Sequence, residues 1–167
     1  EHDLFAFLKI KHEEKIVTAF PPEPSKYPHI GHAKAIFLNY GLAKKYKGKF
    51  ILRFEDTNPV LVKKEFYKIH LENYSWLGIM PDKIDYASDH MKKFYKYAEI
   101  LIKESKAYCC TCSQDIVKKN RFNGTACDCR SRNIDENLKV WKKMPEMKEN
   151  SVIVRLKIDL KHQNTTM

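Results

Sequence analysis

The sequence is 167 residues long, and 43% of its residues are hydrophobic, including nine Phe and nine Tyr. A chain of this length and composition can bury a core, which excludes an intrinsically disordered protein. It contains no apolar run of the roughly 20 residues needed to cross a bilayer, and its start lacks the basic region of a signal peptide. We therefore expect neither membrane insertion nor secretion.

The chain is basic, with 31 Lys and Arg against 21 Asp and Glu and a net charge of +10. This excess favours a polyanionic partner such as nucleic acid, because lysines that neutralise phosphates release counterions. The alternative is a lysine-rich, solvated surface without such a partner.

Alternating strand and helix patterns fill the chain as far as residue 107. Short apolar runs predict strands at 15–20, 49–54 and 84–86, and helical spacing of apolar residues predicts helices at 29–47, 61–77 and 90–103. The Pro-rich segment 21–28 predicts an extended loop, and Gly48 a C-terminal stop for the first helix. Asn58 and Ser88 are typical helix-start residues. The order indicates an α/β fold with a parallel sheet.

The composition changes at residue 108, where a cysteine-rich segment begins. A helix at 134–143 and a half-exposed strand at 151–159 are predicted beyond it. We divide the chain into a linker or upstream element (1–14), a first α/β region (15–107) and a second region (108–167). The chain stops just after a strand, so we interpret it as a fragment of a longer protein. We expect core or partly buried packing for four large aromatic side chains: Trp76, Tyr108, Phe122 and Trp141. The alternative for Tyr108 and Phe122 is stacking on an end base of a nucleic acid.

All five cysteines lie between residues 109 and 129. Two C-x-C pairs, separated by 14 residues, are formed by Cys110, Cys112, Cys127 and Cys129. Four thiolates from two close pairs suit a tetrahedral, structural Zn²⁺ site, and Gly124 allows the chain to reverse between the pairs. We expect Cys109 to pack or to remain a free thiol. The alternative is that the cysteines are reduced and carry no metal; either state indicates a reducing, cytoplasmic location.

A second pattern, His29-Ile30-Gly31-His32, opens the helix that follows the first strand. Helix N-termini beyond the carboxyl ends of parallel strands are suited to phosphate binding. His29 and His32 fall on one side of the first turn and can stabilise charge that develops on a phosphoryl group. Gly31 lets a base or ribose lie close to the backbone. The alternatives are two surface histidines beside a packing glycine, or a small nucleotidyltransferase with the same phosphate site.

Several longer motifs stand in a fixed order: FPPEPS at 20–25, HIGHAK at 29–34, LRFEDTNP at 52–59, WLG at 76–78 and KIDLKH at 157–162. Together they resemble the class I glutamyl- and glutaminyl-tRNA synthetases, in the archaeal/eukaryotic-type branch, over nearly all of residues 15–167. The resemblance implies the first half of a Rossmann-like catalytic domain, followed by the start of an inserted acceptor-binding domain. It also implies ATP-dependent formation of an aminoacyl-adenylate with Mg²⁺, and transfer of the amino acid to tRNA.

The resemblance further implies roles for individual residues. The ATP site would be lined by Glu23, Pro24, Ser25, His29, Ile30, Gly31, His32, Ala33, Lys34 and Ala35. His29 and His32 would act catalytically at the α-phosphate, and Glu55 would pair with the ammonium group of the amino acid. The alternative for Glu55 is a turn carboxylate. We expect Asp56 to shape the turn rather than to touch substrate.

Within this resemblance, the two C-x-C pairs and the Lys161-His162 context favour the glutamyl over the glutaminyl enzymes, so it implies L-glutamate and tRNA(Glu) as substrates. Basic residues around the cysteines are expected to contact the acceptor stem: Lys118, Lys119, Arg121, Arg130 and Arg132. The alternative is that these basic residues form a solvated surface and do not contact the acceptor stem. Other open possibilities are a glutaminyl enzyme, a paralogue that glutamylates a tRNA base, and a non-catalytic tRNA-binding module. The sequence gives no indication of the oligomeric state.

Three departures from the family pattern stand out. Ala19 occupies the position of an Arg that binds the substrate carboxyl end, and Lys26 occupies that of a Gly. If this position had positive φ, Lys26 would be strained. The Lys-Met-Ser-Lys-Ser loop has no counterpart before Met167. We therefore expect weak amino-acid binding and no complete adenylation by this chain alone; ATP–pyrophosphate exchange by the purified chain would contradict this.

Overall fold

A computed structural model describes residues 5, 8 and 15–162. The predicted linker at 1–14 therefore lies outside the described residues, apart from Phe5 and Leu8. The chain divides into two compact units, Glu1–Met91 and Lys92–Met167. The functional boundary that we predict at residues 107–108 stays a prediction.

A parallel sheet in the order β1-β2-β3 forms the first unit. Its strands are β1 (Val17–Phe20), β2 (Lys49–Phe54) and β3 (Lys83–Tyr86), and its helices are α1 (Ile30–Lys45) and α2 (Lys64–Trp76). Thr18 pairs with Phe50, and Leu52 pairs with Ile84. The predicted parallel α/β arrangement is confirmed.

Alternate residues of β2 carry the core of this unit. Phe50, Leu52 and Phe54 are fully buried and belong to one cluster with Ile36 of α1 and Tyr74 of α2. Burial of each such side chain stabilises the fold by about 2 kcal/mol. The packed layer holds the carboxyl ends of β1 and β2, where the site described below begins.

Two predicted helix boundaries are wrong. Lys47, not Gly48, adopts a left-handed backbone after α1, with φ of 50°. Gly48 is required for another reason, because a Cβ there would overlap the carbonyl oxygen of Ile16. The second helix begins at Lys64 rather than at Leu61. Asn58 caps a turn by accepting a hydrogen bond from the Val60 amide at 3.1 Å, so it does not start the helix.

The second unit contains an antiparallel two-stranded sheet and three helices. The elements are α3 (Met91–Lys103), β4 (Ala107–Cys110), α4 (Gln114–Asn123), α5 (Ile134–Lys143) and β5 (Ile153–Leu156). α3 follows a 3₁₀ turn, Ala87–His90, that includes Ser88. β5 and α5 confirm predicted elements, whereas β4 and α4 were not predicted. β4 is buried along its whole length, so it lacks the alternation that predicts a half-exposed strand.

Asn137 joins the core of the second unit to its backbone. Its Oδ1 accepts a hydrogen bond from the Cys109 amide at 2.8 Å, and its Nδ2 donates to the carbonyls of Arg132 and Asn133. Cys109 is fully buried, in a cluster with Ile102. The expectation that Cys109 packs is therefore confirmed.

The expectation of core packing is wrong for two aromatic residues. Trp76 is 84% exposed at the end of α2, and Phe122 is 92% exposed in the last turn of α4. No residue of α4 is buried, so its sequence pattern does not mark a core face. Tyr108 is buried, and the partly buried Trp141 packs on Tyr95 with ring centroids 5.3 Å apart.

Among the described residues, no helix combines the length and apolar character that a bilayer crossing needs.

Candidate functional site

An open cleft of about 460 Å³ lies where β1 ends and α1 begins. Its lining residues are Phe20, Glu23, Lys26, His29, Gly31 and His32. The cleft thus sits at the carboxyl edge of a parallel sheet and at a helix N-terminus, which together favour an anionic ligand.

Two histidines cap α1 reciprocally. The His29 side chain accepts a hydrogen bond from the Gly31 amide at Nδ1, at 3.1 Å, and the His29 amide donates to Nδ1 of His32 at 3.2 Å. The ring centroids are 4.1 Å apart. Because both Nδ1 atoms accept, each neutral ring carries its proton on Nε2.

The electrostatic surroundings keep His32 neutral. Burial is the largest cause that lowers the pKa of His32, and repulsion between its protonated form and the cationic forms of His29, His70 and Lys26 lowers it further. At neutral pH, His32 therefore presents an uncharged Nε2–H group. This arrangement provides a hydrogen-bond donor beside the helix N-terminus.

Gly31 is required by the cap itself. A Cβ at this position would stand 2.9 Å from Cε1 and 3.0 Å from Nδ1 of His29. The imidazole of His29 occupies the space directly over Gly31, where the sequence predicts room for a base or ribose. A larger residue would displace the capping ring.

Main-chain hydrogen bonds hold the Pro-rich loop. The Pro22 carbonyl accepts from the Glu55 amide at 2.9 Å, and the Pro24 carbonyl accepts from the Lys63 amide at 3.1 Å. The non-glycine residues with positive φ in the described chain do not include Lys26. The strain that a positive φ would cause at Lys26 is therefore absent.

The residues predicted for ATP occupy three different places. Glu23, His29, Gly31 and His32 line the cleft. Ile30 and Ala33 line a neighbouring groove of about 260 Å³ that also includes Trp76. Pro24 is buried, Ser25 and Ala35 are half-buried, and Lys34 is exposed. The structure therefore brings four of the ten residues together around one cleft.

Glu55 and Asp56 follow β2 but differ in their surroundings. Glu55 is exposed, and its carboxylate accepts a hydrogen bond from the Thr57 hydroxyl at 3.3 Å. Asp56 is buried and accepts from the Tyr67 hydroxyl and from the amide and hydroxyl of Ser88, each at 2.8 Å. Asp56 thus shapes the turn, as expected, and leaves Glu55 as the accessible carboxylate.

Hydrogen bonds decide the charge of Asp56. Burial alone would raise the pKa of its carboxyl, but the hydrogen bonds from Ser88 and Tyr67 outweigh burial and hold the pKa below its ordinary value. Burial and the Asp56 carboxylate together raise the pKa of Tyr67 to about 12. Asp56 is therefore ionised and Tyr67 neutral at neutral pH.

The four cysteines of the two C-x-C pairs converge in the second unit. All their sulfur atoms lie within 4.8 Å of one another, and the Cys110–Cys127 and Cys112–Cys129 pairs are each 3.8 Å apart. Tetrahedral thiolates bonded to Zn²⁺ at about 2.3 Å stand about 3.8 Å from one another. These residues therefore fit a four-coordinate metal site. Gly124 ends α4 with φ of 61°, so it does provide the predicted reversal.

Polar and cationic groups surround the cysteine cluster. The Arg155 guanidinium lies 4.0 Å from Sγ of Cys127 and 5.7 Å from the centre of the Tyr108 ring. Thr111 Oγ1 lies 3.5 Å from Sγ of Cys129. Burial opposes ionisation of Cys129, but hydrogen bonding to Thr111 contributes to lowering its pKa to about 7. Neither Thr111, which lies between Cys110 and Cys112, nor Arg155, which lies within the predicted strand 151–159, was predicted in this role.

The basic residues predicted around the cysteines fall into two groups. Arg130 donates to the Ile158 carbonyl at 2.8 Å, and Arg132 donates to the Cys109 carbonyl and to Thr111 Oγ1. These two arginines hold the cysteine-rich segment in place. Lys118, Lys119 and Arg121 lie exposed on α4.

Comparison with known proteins identifies the class to which this fold and site belong. A family model described as "tRNA synthetases class I (E and Q), catalytic domain" matches residues 15–167. The chain belongs to this family, which confirms the resemblance seen in the motifs.

Two curated relatives of this chain within the family are glutamate–tRNA ligases. The glutamate–tRNA ligase of Pyrococcus furiosus is 49% identical over 154 residues, which are 90% of this chain and 27% of that protein. The glutamate–tRNA ligase of Nanoarchaeum equitans is 44% identical over 162 residues, which are 94% of this chain and 29% of that protein. The chain therefore spans about a quarter of the length of these relatives.

A solved structure shares the fold at lower identity. The crystal structure of a glutamate tRNA ligase from Elizabethkingia meningosepticum in complex with its amino acid matches with a TM-score of 0.66 and 22% identity. The match covers 86% of this chain and 32% of that one. It supports the Rossmann-like α/β fold of a class I synthetase.

Proposed function

We propose that this chain is part of a glutamate–tRNA ligase and contributes the ATP half of the site that forms glutamyl-adenylate. The observation that carries the proposal is the reciprocal cap, which places two imidazoles at the N-terminus of α1 on an open cleft. In the proposed reaction, a carboxylate oxygen of L-glutamate attacks the α-phosphorus of ATP, bound with Mg²⁺, and pyrophosphate leaves. A terminal hydroxyl of tRNA(Glu) then attacks the glutamyl carbonyl, and AMP leaves.

His29 and His32 would stabilise the α-phosphate in this reaction. Their Nδ1 atoms are used by the cap, so their Nε2–H groups are the donors available to phosphate oxygens. Donors fixed before the reaction stabilise developing negative charge without reorganisation. Glu23 and Lys26 border the same cleft and would shape the nucleotide pocket.

Glu55 would bind the substrate ammonium group. Its exposure and its position immediately after β2 support this role, while the buried Asp56 is occupied by Tyr67 and Ser88. Ala19 is exposed on β1 and cannot bind a carboxylate as an Arg can. We therefore expect weak glutamate binding by this chain.

We further propose that the cysteine cluster binds one structural Zn²⁺ ion. The residues that would hold it are Cys110, Cys112, Cys127 and Cys129, and a four-thiolate site leaves no position open for catalysis. When bound, the ion would cross-link the end of β4 to the segment after α4. The convergence of four cysteines at one point is typical of a metal site in a reducing compartment and supports a cytoplasmic location.

The second unit would start the domain that contacts the tRNA acceptor stem. The exposed Lys118 and Lys119 on α4 support this proposal, and Arg121 lies on the same helix. Arg130 and Arg132 would contribute mainly by holding the cysteine-rich segment. Such contacts to phosphates position the nucleic acid without reading its sequence.

A nucleotide titration tests the ATP site. Amide chemical shifts of the ¹⁵N-labelled chain would be followed while MgATP is added, with MgUTP as the control nucleotide. We expect weak, saturable shifts at Glu23, Lys26, His29, Gly31 and His32 with MgATP. The absence of such shifts at millimolar MgATP would refute the proposed site.

Elemental analysis tests the metal site. We expect about one zinc per chain, and a melting temperature that falls when a chelator is added. Cys112→Ser should lose the metal, whereas Cys109→Ala should retain it because Cys109 packs outside the cluster. A zinc-free wild-type chain that melts identically with and without chelator would contradict the proposal.

The substitution at Ala19 favours one second candidate, a non-catalytic tRNA-binding module derived from the same family. Such a module needs neither ATP nor glutamate. The MgATP titration separates the two, because only the synthetase part is expected to retain nucleotide binding.

A further inference from the structure

A buried polar pair on α2 has no role in the chemistry proposed above. His70 and Tyr74 are both almost completely inaccessible. Nδ1 of His70 lies 2.7 Å from the Tyr74 hydroxyl, and Nε2 lies 2.9 Å from the Lys26 carbonyl oxygen. Because a carbonyl only accepts, the ring proton must be on Nε2, and the Tyr74 hydroxyl donates to Nδ1. The hydrogen bonds therefore run in one direction, from Tyr74 through His70 to Lys26.

The aromatic surroundings fix the plane of the His70 ring. It meets the rings of His32 and Phe54 edge-on, with centroids 5.7 Å and 6.2 Å away. Burial lowers the pKa of His70 and raises that of Tyr74, so both side chains are neutral near pH 7. A neutral donor thus points at one backbone carbonyl from within the core.

That carbonyl is one of three attachment points of the loop at 21–28. Backbone amides hold the Pro22 and Pro24 carbonyls, whereas a side chain holds the Lys26 carbonyl. Lys26 is also the attachment nearest to the capping residue His29, with only two residues between them. Its placement therefore limits where the Nε2–H groups of His29 and His32 can point.

We propose that His70 is a positioning residue for the nucleotide cleft. His70 shapes the cleft by holding the Lys26 carbonyl, and the hydrogen bond from Tyr74 fixes the orientation of the His70 ring. This inference rests on the proposed function, because it names what sets the geometry of the proposed ATP site. His70 does not touch the nucleotide. The hydrogen bond also anchors the loop at the position where the family pattern has a Gly and this chain has a Lys.

Three variants separate positioning from packing. His70→Leu removes the donor and keeps an apolar side chain of similar reach. His70→Gln keeps an amide donor that can bond the Lys26 carbonyl, and Tyr74→Phe removes only the hydroxyl. Melting curves establish that each variant folds, and MgATP dissociation constants are measured by titration calorimetry or by amide shifts.

We expect His70→Leu to weaken MgATP binding about tenfold, and His70→Gln to stay within about threefold of the wild type. Tyr74→Phe should fall between them. In the wild type, ring ¹⁵N shifts of His70 should report the Nε2–H form. Wild-type affinity in a folded His70→Leu, equal losses in the Leu and Gln variants, or an Nδ1–H form of His70 would each overturn the proposal.

The two proposals fail in different ways. Wild-type binding that His70→Leu leaves unchanged overturns the positioning role and leaves the ATP site standing. If the wild type does not bind MgATP, the proposed function fails, and the positioning role is decided by amide shifts in the nucleotide-free chain. His70→Leu should then shift the amides of residues 26–32; changes confined to α2 would overturn the role.

Discussion

At the first turn of α1, histidine both caps the helix and supplies hydrogen-bond donors to the cleft. Ser, Thr, Asp and Asn are the usual residues at a helix N-cap. Here His29 and His32 each use Nδ1 for capping and keep Nε2 for the cleft. The motif predicted a helix start with two histidines on one side, but not their mutual cap, because capping by imidazole is uncommon.

The cap predicts opposite effects for two glycines of the same helix. Gly31→Ala would press a Cβ against the His29 ring, whereas Gly41→Ala would meet nothing nearer than the Phe5 ring at 3.9 Å. We expect Gly41→Ala to raise the free energy of unfolding by up to about 1 kcal/mol through helix propensity. Gly31→Ala should lower it by up to about 1 kcal/mol through loss of the cap. Urea unfolding measures both, and equal gains from the two variants would contradict the cap.

Asp56 predicts how the first unit responds to acid. Its pKa in the folded chain lies below the ordinary value, so the ionised carboxylate stabilises the fold above about pH 4. That stability is lost as the pH falls through the lowered pKa. We expect Asp56→Asn to be less stable at pH 7 and to lose less on acidification than the wild type.

Melting temperatures between pH 7 and pH 3 test this prediction, with Asp89→Asn as the control. Asp89 is exposed in the same 3₁₀ turn as Ser88. The melting temperature of the control should fall with acid as that of the wild type does. If the melting temperatures of the wild type and Asp56→Asn fall equally between pH 7 and pH 3, the Ser88 and Tyr67 hydrogen bonds do not stabilise the carboxylate.

The turn role of Asp56 was predictable from the sequence, because an Asp that directly follows a strand commonly shapes a turn. The role of Glu55 at the substrate is implied by the family resemblance and stays a prediction. The contact between His70 and the Lys26 carbonyl was not predictable from the sequence, because the two residues are 44 positions apart. Every residue has a backbone carbonyl, so no residue type marks this acceptor. The contacts of Thr111 and Arg155 with cysteine sulfurs also join positions far apart in the sequence, 18 and 28 residues, and were missed.

Among the helices and strands, α1, β2 and β3 occur close to where they were predicted. β4 was missed, although β1 and β3 are equally short, because all four of its residues are buried and it lacks the alternation of a half-exposed strand. Helix ends were wrong where backbone geometry, rather than side-chain pattern, decided them.

The connection between α1 and β2 yields a prediction from two adjacent residues. Gly48→Ala would push a Cβ into the Ile16 carbonyl, and we expect it to destabilise the chain by about 1–3 kcal/mol. Lys47 has the left-handed φ of 50°, so Lys47→Gly should be neutral or slightly stabilising. Chemical denaturation measures both changes. If Gly48→Ala left the free energy of unfolding unchanged and Lys47→Gly lowered it, the close approach at Gly48 and the left-handed strain at Lys47 would both be contradicted.

The chain as a whole carries a net charge of +10. If the chain binds tRNA through phosphates, its affinity must fall steeply with salt. We expect the double variant Lys118→Gln/Lys119→Gln to reduce the slope of log affinity against log salt by up to about 2. The measurement is binding of a tRNA(Glu) transcript between 50 and 200 mM salt.

A matched control uses two exposed lysines at the start of α3. Lys92→Gln/Lys93→Gln removes the same charge from another helix and should leave the slope close to that of the wild type. Equal effects of both double variants would indicate that the net charge alone, and not α4, governs binding.

The pairing of β4 with β5 has a consequence for biosynthesis. Cys110 pairs with Ile153, so the partner of β4 is more than forty residues away along the chain. At about 5–20 residues per second, a ribosome takes roughly 2–9 s to make that stretch. During this interval the nascent Ala107–Cys110 segment has no partner strand, so its two thiols and its aromatic ring are not yet buried by β5. β4 can pair with β5 and the second unit can finish folding only after β5 leaves the exit tunnel.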